Sequence, residues 1–189
     1  MRKNLGAQPA LFPMPVVIVA AYGADGSICA MNAAWAQICS SDKIALFISP
    51  GHKTTKNILE TKAFTVNIAD VKNIVPADFF GIATGNNIPD KFERSGCTAV
   101  KSEFVNAPVI TDFPVSIECE LAEEINTPNV HAIIGKIINV NAEEAVVGEG
   151  DKIIPEKVDA LIFDQYRSGY YKVGEKAGQA WSEGKELMK

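Results

Sequence analysis

The most informative stretch of this 189-residue chain, residues 30–57, reads AMNAAWAQICSSDKIALFISPGHKTTKN. Within it, Ile44 to Ser49 is a largely apolar run that predicts a strand, and Pro50-Gly51 ends that strand. His-Lys-Thr-Thr then leads into a helix, so that backbone amides, two hydroxyls and a lysine gather at a helix N-terminus. This combination can bind phosphate, because the free amides point outward and the helix dipole favours an anion. An ordinary capped helix with solvated lysines has the same residues, and the motif alone does not separate the two interpretations.

A β-hairpin is predicted ahead of this stretch. Every residue from Val16 to Tyr22 is apolar, residues 23–26 have the turn composition Gly-Ala-Asp-Gly, and residues 27–34 form a second extended segment. After the stretch, a helix is predicted over Thr54 to Lys62 with the Thr54 hydroxyl as its N-cap. Phe64 to Ile68 then alternates apolar and polar residues, as a half-buried strand does.

A second hairpin is predicted in the later part of the chain. Apolar and polar residues alternate from Val115 to Leu121, and a long β-branched run covers Val130 to Val140. The intervening Asn-Thr-Pro-Asn at residues 126–129 has turn chemistry, so the two runs can pair as antiparallel strands.

The remaining segments are connections. Asp70 to Phe80 has apolar residues on one helical face although Pro76 interrupts it, which predicts a helix. Residues 81–96 are rich in Gly, Asn and Pro and predict a long loop with a short helix near residues 90–93. The tail, residues 174–189, is polar and is expected to be a docked helix or a loose arm.

These elements predict a mainly β protein with helical insertions. Six or seven strands without regular βαβ alternation favour an antiparallel barrel over a doubly wound sheet. No interdomain linker is visible, so residues 1–189 are expected to form a single domain.

Composition excludes several classes of protein. The net charge is -5 and no basic stripe is present, so nucleic acid is not an expected partner. The longest apolar run is far shorter than the roughly 20 residues of a membrane helix, so no membrane span or membrane partner is expected. Four widely spaced cysteines and two histidines lack the spacing of a zinc site or a disulfide scaffold, which predicts no metal and a reducing, cytoplasmic location.

Common catalytic motifs are also missing. The sequence has no GxGxxG opening a βαβ unit, no P-loop spacing, no GxSxG and no HExxH. Dinucleotide binding in a Rossmann fold, P-loop chemistry and the common hydrolase mechanisms are therefore not expected.

A series of short motifs nevertheless runs along nearly the whole chain. In order, they occupy residues 13–19, 32–35, 52–58, 64–67, 90–93, 96–98, 107–110, 117–119, 131–140 and 170–174. Their order resembles that of the flavin reductase-like, FMN-binding split-barrel proteins, and within them the flavoredoxin group. The chain departs from the usual pattern at His52, where the family commonly has arginine.

The resemblance implies an antiparallel split β-barrel that holds FMN noncovalently at a homodimer interface. By matched position, residues 32–35 contact the flavin ring, Ser49 lies beside the ring or ribityl chain, and Thr54, Asn57 and Lys91 reach the phosphate. The full set of implied cofactor-binding residues is Asn32, Ala33, Ala34, Trp35, Ser49, Thr54, Asn57, Lys91, His131 and Phe163.

Each of these residues also has an ordinary structural interpretation. Lys91 could be a solvated loop lysine, His131 a hydrogen-bonded, half-buried histidine, and Trp35 a core or dimer anchor.

The resemblance further implies an oxidoreductase that carries hydride or electrons through FMN. NAD(P)H or a redox protein is the expected electron donor, and no side chain is assigned as a catalytic acid or nucleophile, because the flavin supplies the redox chemistry. The alternatives are a split-barrel flavin- or haem-binding protein without redox turnover, and a structural dimer with an empty pocket.

Overall fold

The computed structural model describes residues 1–188. Its strands are β1 Met14–Pro15, β2 Val17–Tyr22, β3 Ile28–Ala33, β4 Ala36–Ser40, β5 Lys43–Leu46, β6 Ala63–Ile68, β7 Ala99–Lys101, β8 Pro108–Ile110, β9 Val115–Asn126, β10 His131–Ala142, β11 Val147–Gly148, β12 Lys152–Ile153, β13 Leu161–Asp164 and β14 Gly169–Lys172. Its α-helices are α1 Lys53–Thr61, α2 Ile74–Ile82, α3 Lys91–Ser95 and α4 Pro155–Val158. Two short 3₁₀ helices cover Glu144–Val146 and Glu183–Met188.

Seven strands form one antiparallel sheet that curls into a split β-barrel. The strand order is β3-β2-β6-β9-β10-β5-β4, so β3 and β4 are the two edges although they are consecutive in the chain. Ala34 and Trp35 connect the two edges, and the amide of Phe47 donates to the carbonyl of Trp35 at 2.9 Å. The split of the barrel therefore lies beside residues 34 and 35, within the stretch 30–57.

Strand β2 is buried on both faces, which explains its continuous apolar sequence. Val17 and Val19 point into the barrel core with Phe64 and Leu46, whereas Ile18 packs in an outer layer covered by residues of α2 and α3. This outer layer fixes α2 and α3 against the first hairpin.

Gly135 in β10 makes the packing of the barrel core possible. A Cβ atom at this position would lie 2.3 Å from Cζ of the Phe64 ring, which is fully buried. The aromatic ring thus occupies the space of the missing side chain.

A smaller sheet closes the other side of the split. Strands β1, β13 and β14 pair in the order β1-β13-β14, and the register sets Phe163 opposite both Met14 and Tyr170. These strands and β4 were not predicted from the sequence, because each is short and lacks a long alternating pattern.

The sequence predicted the main elements and missed several details. Both hairpins are confirmed, as is the strand β6. Helix α2 begins four residues later than predicted, and Pro76 is its third residue, where the missing amide is tolerated. The short helix in the long loop exists as α3.

The predicted N-cap of α1 is wrong. The helix begins at Lys53, and His52 is its N-cap residue without a side-chain capping bond. Thr54 is the second helical residue, so its hydroxyl cannot cap the helix.

The prediction of six or seven strands is too low for the described residues, because two-residue and three-residue strands leave no clear pattern in sequence. The described part of the tail is exposed along its length. No helix within residues 1–188 is long and apolar enough to cross a membrane.

Candidate functional site

A cavity of about 380 Å³ lies in the split of the barrel. Its walls come from the end of β3, the loop between β5 and α1, the helix α2, and the strands β13 and β14. The walls are largely apolar and include the aromatic rings of Trp35, Phe47, Phe163 and Tyr170. The lining residues are Met31, Asn32, Ala33, Ala34, Trp35, Phe47, Ile48, Ser49, His52, Asp78, Gly81, Ile82, Phe163 and Tyr170.

A second, polar pocket of about 170 Å³ continues this cavity toward the N-terminus of α1. The two spaces share five lining residues: Met31, Asn32, His52, Gly81 and Ile82. We call the first space the ring cavity and the second the polar end. The polar end is also lined by Cys29, Lys53, Thr54, Phe80, Ala83, Thr84, Gly85 and Lys91.

The first turn of α1 offers free backbone amides to the polar end. The first four amides of a helix lack intrahelical partners, and here no side chain caps them and no acidic residue lies in the first turn. The Thr54 hydroxyl is 3.2 Å from the Cys29 thiol and almost fully buried. These groups are suited to an anion, because donors converge and the helix dipole adds positive potential.

Lys91 brings a buried cation to the same pocket. It is 4 % exposed, its Nζ donates to the carbonyl of Phe80 at 2.9 Å, and this nitrogen lies 5.7 Å from the centre of the Phe80 ring. Burial lowers the pKa of Lys91. One of its three N–H donors is therefore used internally, and two are available to a ligand. The solvated loop lysine is excluded, because Lys91 is the first residue of α3 and is buried.

His52 is the second basic group that faces both spaces. Partial burial lowers its pKa, and the nearby positive charge of Lys91 lowers it further. Lys53 lines the polar end as well, so the permanent charge that an arginine would bring at position 52 is supplied by lysines.

Ser49 shapes the turn that leads into α1. Its hydroxyl accepts a hydrogen bond from the Gly51 amide at 3.2 Å, and its carbonyl accepts one from the buried Thr55 hydroxyl at 2.8 Å. These bonds fix the loop between β5 and α1, so Ser49 and His52 are held at the cavity wall.

The aromatic wall of the ring cavity is built from distant parts of the chain. Trp35 lies 6.4 Å from Phe163 between ring centres, and Phe163 lies 6.0 Å from Tyr170. Trp35 is 51 % exposed, so its ring forms part of the rim and is not a core anchor.

Asn32 and Asp78 place polar groups in this otherwise apolar space. The Asn32 amide donates to the carbonyl of Ala77 at 2.9 Å, which ties the end of β3 to α2. The Tyr170 hydroxyl donates to Asp78 Oδ1 at 2.9 Å. Burial, this hydrogen bond and the charge of Asp78 raise the pKa of Tyr170 to about 12.

The structure brings together eight of the ten predicted residues. Asn32, Ala33, Ala34, Trp35, Ser49 and Phe163 line the ring cavity, and Thr54 and Lys91 line the polar end.

Asn57 is not among the residues that line either space. Its side chain is buried one turn along α1 and, with its amide in the hydrogen-bonding orientation, accepts from the Gly23 amide at 3.3 Å and donates to the Lys53 carbonyl at 3.2 Å. It fastens the helix to the turn of the first hairpin. It lies one turn farther than Thr54 from the helix N-terminus, and its amide is engaged with Gly23 and Lys53.

His131 lies on the far side of the rim. Together with Trp35, Phe47 and Val130 it lines an open surface cleft that adjoins the ring cavity. Its Nδ1 is 2.6 Å from the Ile48 carbonyl and its Nε2 is 3.0 Å from Glu124 Oε1. Both ring nitrogens are thus engaged, so haem ligation by this histidine, one of the alternatives from sequence, is not favoured.

Four residues at the site were not predicted from the sequence: Asp78, Tyr170, Phe47 and Gly85. Tyr170 lay in a motif used for the resemblance, but nothing local indicated that it faces Asp78 across 92 residues. Gly85 leaves room at the polar end, since a Cβ there would lie 3.1 Å from the Cys29 sulfur. In a loop rich in glycine, no sequence signal distinguishes this position.

Comparison with known proteins agrees with the cavity. A family model described as "Flavin reductase like domain" matches residues 10–172. The flavoredoxin of Desulfovibrio vulgaris (Miyazaki F) shares 36 % identity and a TM-score of 0.92, over 97 % of this chain and 100 % of its own. The flavoredoxin from Methanosarcina acetivorans shares 25 % identity and a TM-score of 0.88, over 99 % of this chain and 100 % of its own. A split-barrel protein of the flavin reductase type from Shewanella frigidimarina shares the fold alone. It has 17 % identity and a TM-score of 0.79, over 90 % of this chain and 87 % of its own.

Proposed function

Since the chain belongs to the flavin reductase-like domain family, which has a flavin-binding redox function, we propose that it holds FMN noncovalently and acts as an oxidoreductase. The observation that carries the proposal is the continuity of two unlike spaces. An apolar, aromatic cavity joins directly to a pocket lined by hydroxyls, lysines and free helix amides.

The ring cavity fits a planar, largely apolar ring system. Ligand sites of this kind combine apolar and aromatic walls with a few polar groups that fix orientation. Here Trp35 and Phe163 supply the aromatic surface, and Asn32 and Ser49 supply hydrogen-bonding groups. Asn32 is held by its bond to Ala77, so its side chain is preorganised at the cavity wall.

The polar end fits a phosphate monoester. Two free N–H donors of Lys91, the Thr54 hydroxyl and the first amides of α1 all line one small space. The room left by Gly85 is part of this fit, because a side chain there would occupy the pocket. Charge-assisted bonds of this type are the stronger class of hydrogen bond.

Bound FMN would supply hydride and electron transfer, which no side chain of the cavity can provide. The residues of the chain bind and orient it. Lys91 and Thr54 hold the phosphate, Asn32 fixes the ring edge, and Trp35 limits the access of water at the rim.

Absorption spectroscopy tests the proposal directly. The purified protein, after incubation with FMN and desalting, should show flavin bands near roughly 370 and 450 nm and a higher melting temperature. A protein that stays colourless and gains no thermal stability from FMN would contradict the proposal.

The electron donor is proposed to be NAD(P)H or a redox protein. An anaerobic assay separates the two: rapid bleaching of the flavin by NADH or NADPH indicates a flavin reductase. Absence of bleaching, with reduction by a ferredoxin-like protein, indicates an electron carrier.

The proposal includes a homodimer and a reducing, cytoplasmic setting. The rim of the ring cavity carries exposed apolar side chains at Trp35, Phe47 and Val130, which a second subunit could cover. Cysteines 29, 39, 97 and 119 are free thiols, which suits a reducing compartment.

A further inference from the structure

The two connected spaces have opposite charge. The polar end is lined by Lys53, Lys91 and His52, and no acidic residue of the described chain lines it. The ring cavity contains Asp78, which is the one acidic residue among its described lining residues. A ligand that spans both spaces therefore meets positive charge at one end and a carboxylate at the other.

The carboxylate of Asp78 is fixed in place. It projects from α2, is partly buried, and accepts the hydroxyl proton of Tyr170 at 2.9 Å. Tyr170 in turn packs at 6.0 Å against Phe163. Two elements remote in sequence thus hold the carboxylate at the cavity wall, where it is partly buried.

This arrangement matches one redox state of FMN better than the other. Oxidised FMN has a negatively charged phosphate and a neutral ring system. Reduction by two electrons with uptake of one proton leaves a negative charge on the ring. At an effective dielectric constant of about 20, two like charges within about 10 Å repel each other strongly enough to weaken binding about tenfold.

We propose that the carboxylate charge of Asp78, which accepts a hydrogen bond from Tyr170, makes the cavity bind oxidised FMN more tightly than anionic reduced FMN. Asp78 is then a specificity-determining residue for the redox state of the cofactor, and it lowers the reduction potential of the bound flavin. The inference rests on the proposed function, in that the cavity must bind FMN.

The experiment compares dissociation constants for oxidised and for reduced FMN. Titrations are made at pH 8, in air with FMN and under anaerobic conditions with FMN reduced by excess dithionite. In Asp78→Asn the carbonyl oxygen can still accept from Tyr170, but the charge is gone. We expect the affinity for oxidised FMN to change less than twofold and the affinity for reduced FMN to rise about tenfold. A tenfold change in the ratio of the two dissociation constants corresponds to a rise of about 30 mV in the two-electron reduction potential of the bound flavin.

Two control variants separate charge from packing. Tyr170→Phe removes the hydrogen bond and keeps the carboxylate, so the ratio of the two constants should stay near the wild-type value or move in the opposite direction. Asp42→Asn makes the same change in net charge at a half-buried turn residue that pairs with Lys43, and should leave the ratio unchanged. If Asp78→Asn lacks native circular dichroism, Asp78→Ser provides the same loss of charge.

The outcomes are distinct. A ratio in the folded Asp78 variant within twofold of wild type overturns the inference while FMN binding stands. A shift of equal size and direction in Tyr170→Phe also overturns it, because the hydrogen bond and not the charge would be responsible. A wild-type protein that binds neither form of FMN overturns the proposed function, and this inference with it.

Discussion

Lys91 shows how much of the site depends on single buried residues. A buried ammonium group is unfavourable unless it is hydrogen-bonded, and here the carbonyl of Phe80 is its partner in the protein. The lowered pKa reflects this cost. Within the described chain, Lys91 Nζ donates to a neutral carbonyl, and a phosphate bound at the polar end would add a charged partner. Ligand binding and the charge of Lys91 are therefore coupled.

Replacing Lys91 should therefore weaken FMN binding through the phosphate. We expect Lys91→Met to lose about 1.5–3 kcal/mol of FMN binding free energy, the range for hydrogen bonds to charged groups. Riboflavin has no phosphate and should bind wild type and variant about equally. Isothermal titration calorimetry with both ligands measures the difference.

The matched control is Lys101→Met, which removes an exposed lysine of β7 away from the cavity. It should leave both affinities unchanged. An equal loss of riboflavin binding in Lys91→Met would show that this lysine supports the ring cavity and not the phosphate.

The close packing at Gly135 leads to a prediction about the free energy of unfolding. In Gly135→Ala the new methyl group would overlap the buried Phe64 ring, and overpacking of this kind costs about 1–3 kcal/mol. Urea unfolding should show the loss as a lower midpoint. Gly174→Ala, where the added atom meets open space, is the control and should unfold within about 0.5 kcal/mol of wild type.

At the scale of elements, strand position decides which side chains meet solvent. Cys119 in the central strand β9 points into the core and is fully buried, and Cys39 in the edge strand β4 is exposed. Burial, reinforced by the neighbouring Glu118, raises the pKa of Cys119 to about 12. The thiolate that reacts with disulfide reagents is thus strongly disfavoured at Cys119.

A thiol titration tests this description of the two strands. Native protein should react fast at one thiol, and Cys39→Ser should abolish that fast phase. All four cysteines should react only after unfolding in denaturant. A fast phase that persists in Cys39→Ser would mean that β9 or the segment around Cys97 is open in solution.

At the scale of the molecule, the cavity is open on the side of Trp35. The exposed apolar rim and the adjoining cleft at Val130 would remain in water if the chain stayed alone. A second subunit on this rim would also limit water around the aromatic wall.

Sedimentation velocity should therefore give about twice the 20.3 kDa of one chain. Val130→Lys places a charge on the rim and should shift the equilibrium toward monomer, whereas Ile153→Lys, on β12, should not. A stable 20 kDa species with FMN bound would contradict the proposed homodimer.

Local sequence was sufficient to predict much of the architecture. The hairpins, the strand β6, the helix α1 and the order of the motifs depend on turn residues, alternation and short-range spacing, all of which are visible in a single chain. The resemblance carried by those motifs also identified eight of the residues that line the two spaces. The capping of α1 and the short strands were not predictable in the same way, because His52 caps α1 without a side-chain bond and the short strands leave no clear pattern in the sequence.

Only the tertiary structure determined which charged side chains line the cavity and which segments enclose them. Asp78 and Tyr170 are 92 positions apart, and Lys91 becomes buried only because α3 packs beneath α2 and the first hairpin. Burial and long-range contact depend on several segments at once, so no single segment encodes them. The sequence determined a β-barrel and a helix whose N-terminus suits a phosphate. Folding determined that a lysine lies at one end of the cavity and a carboxylate at the other.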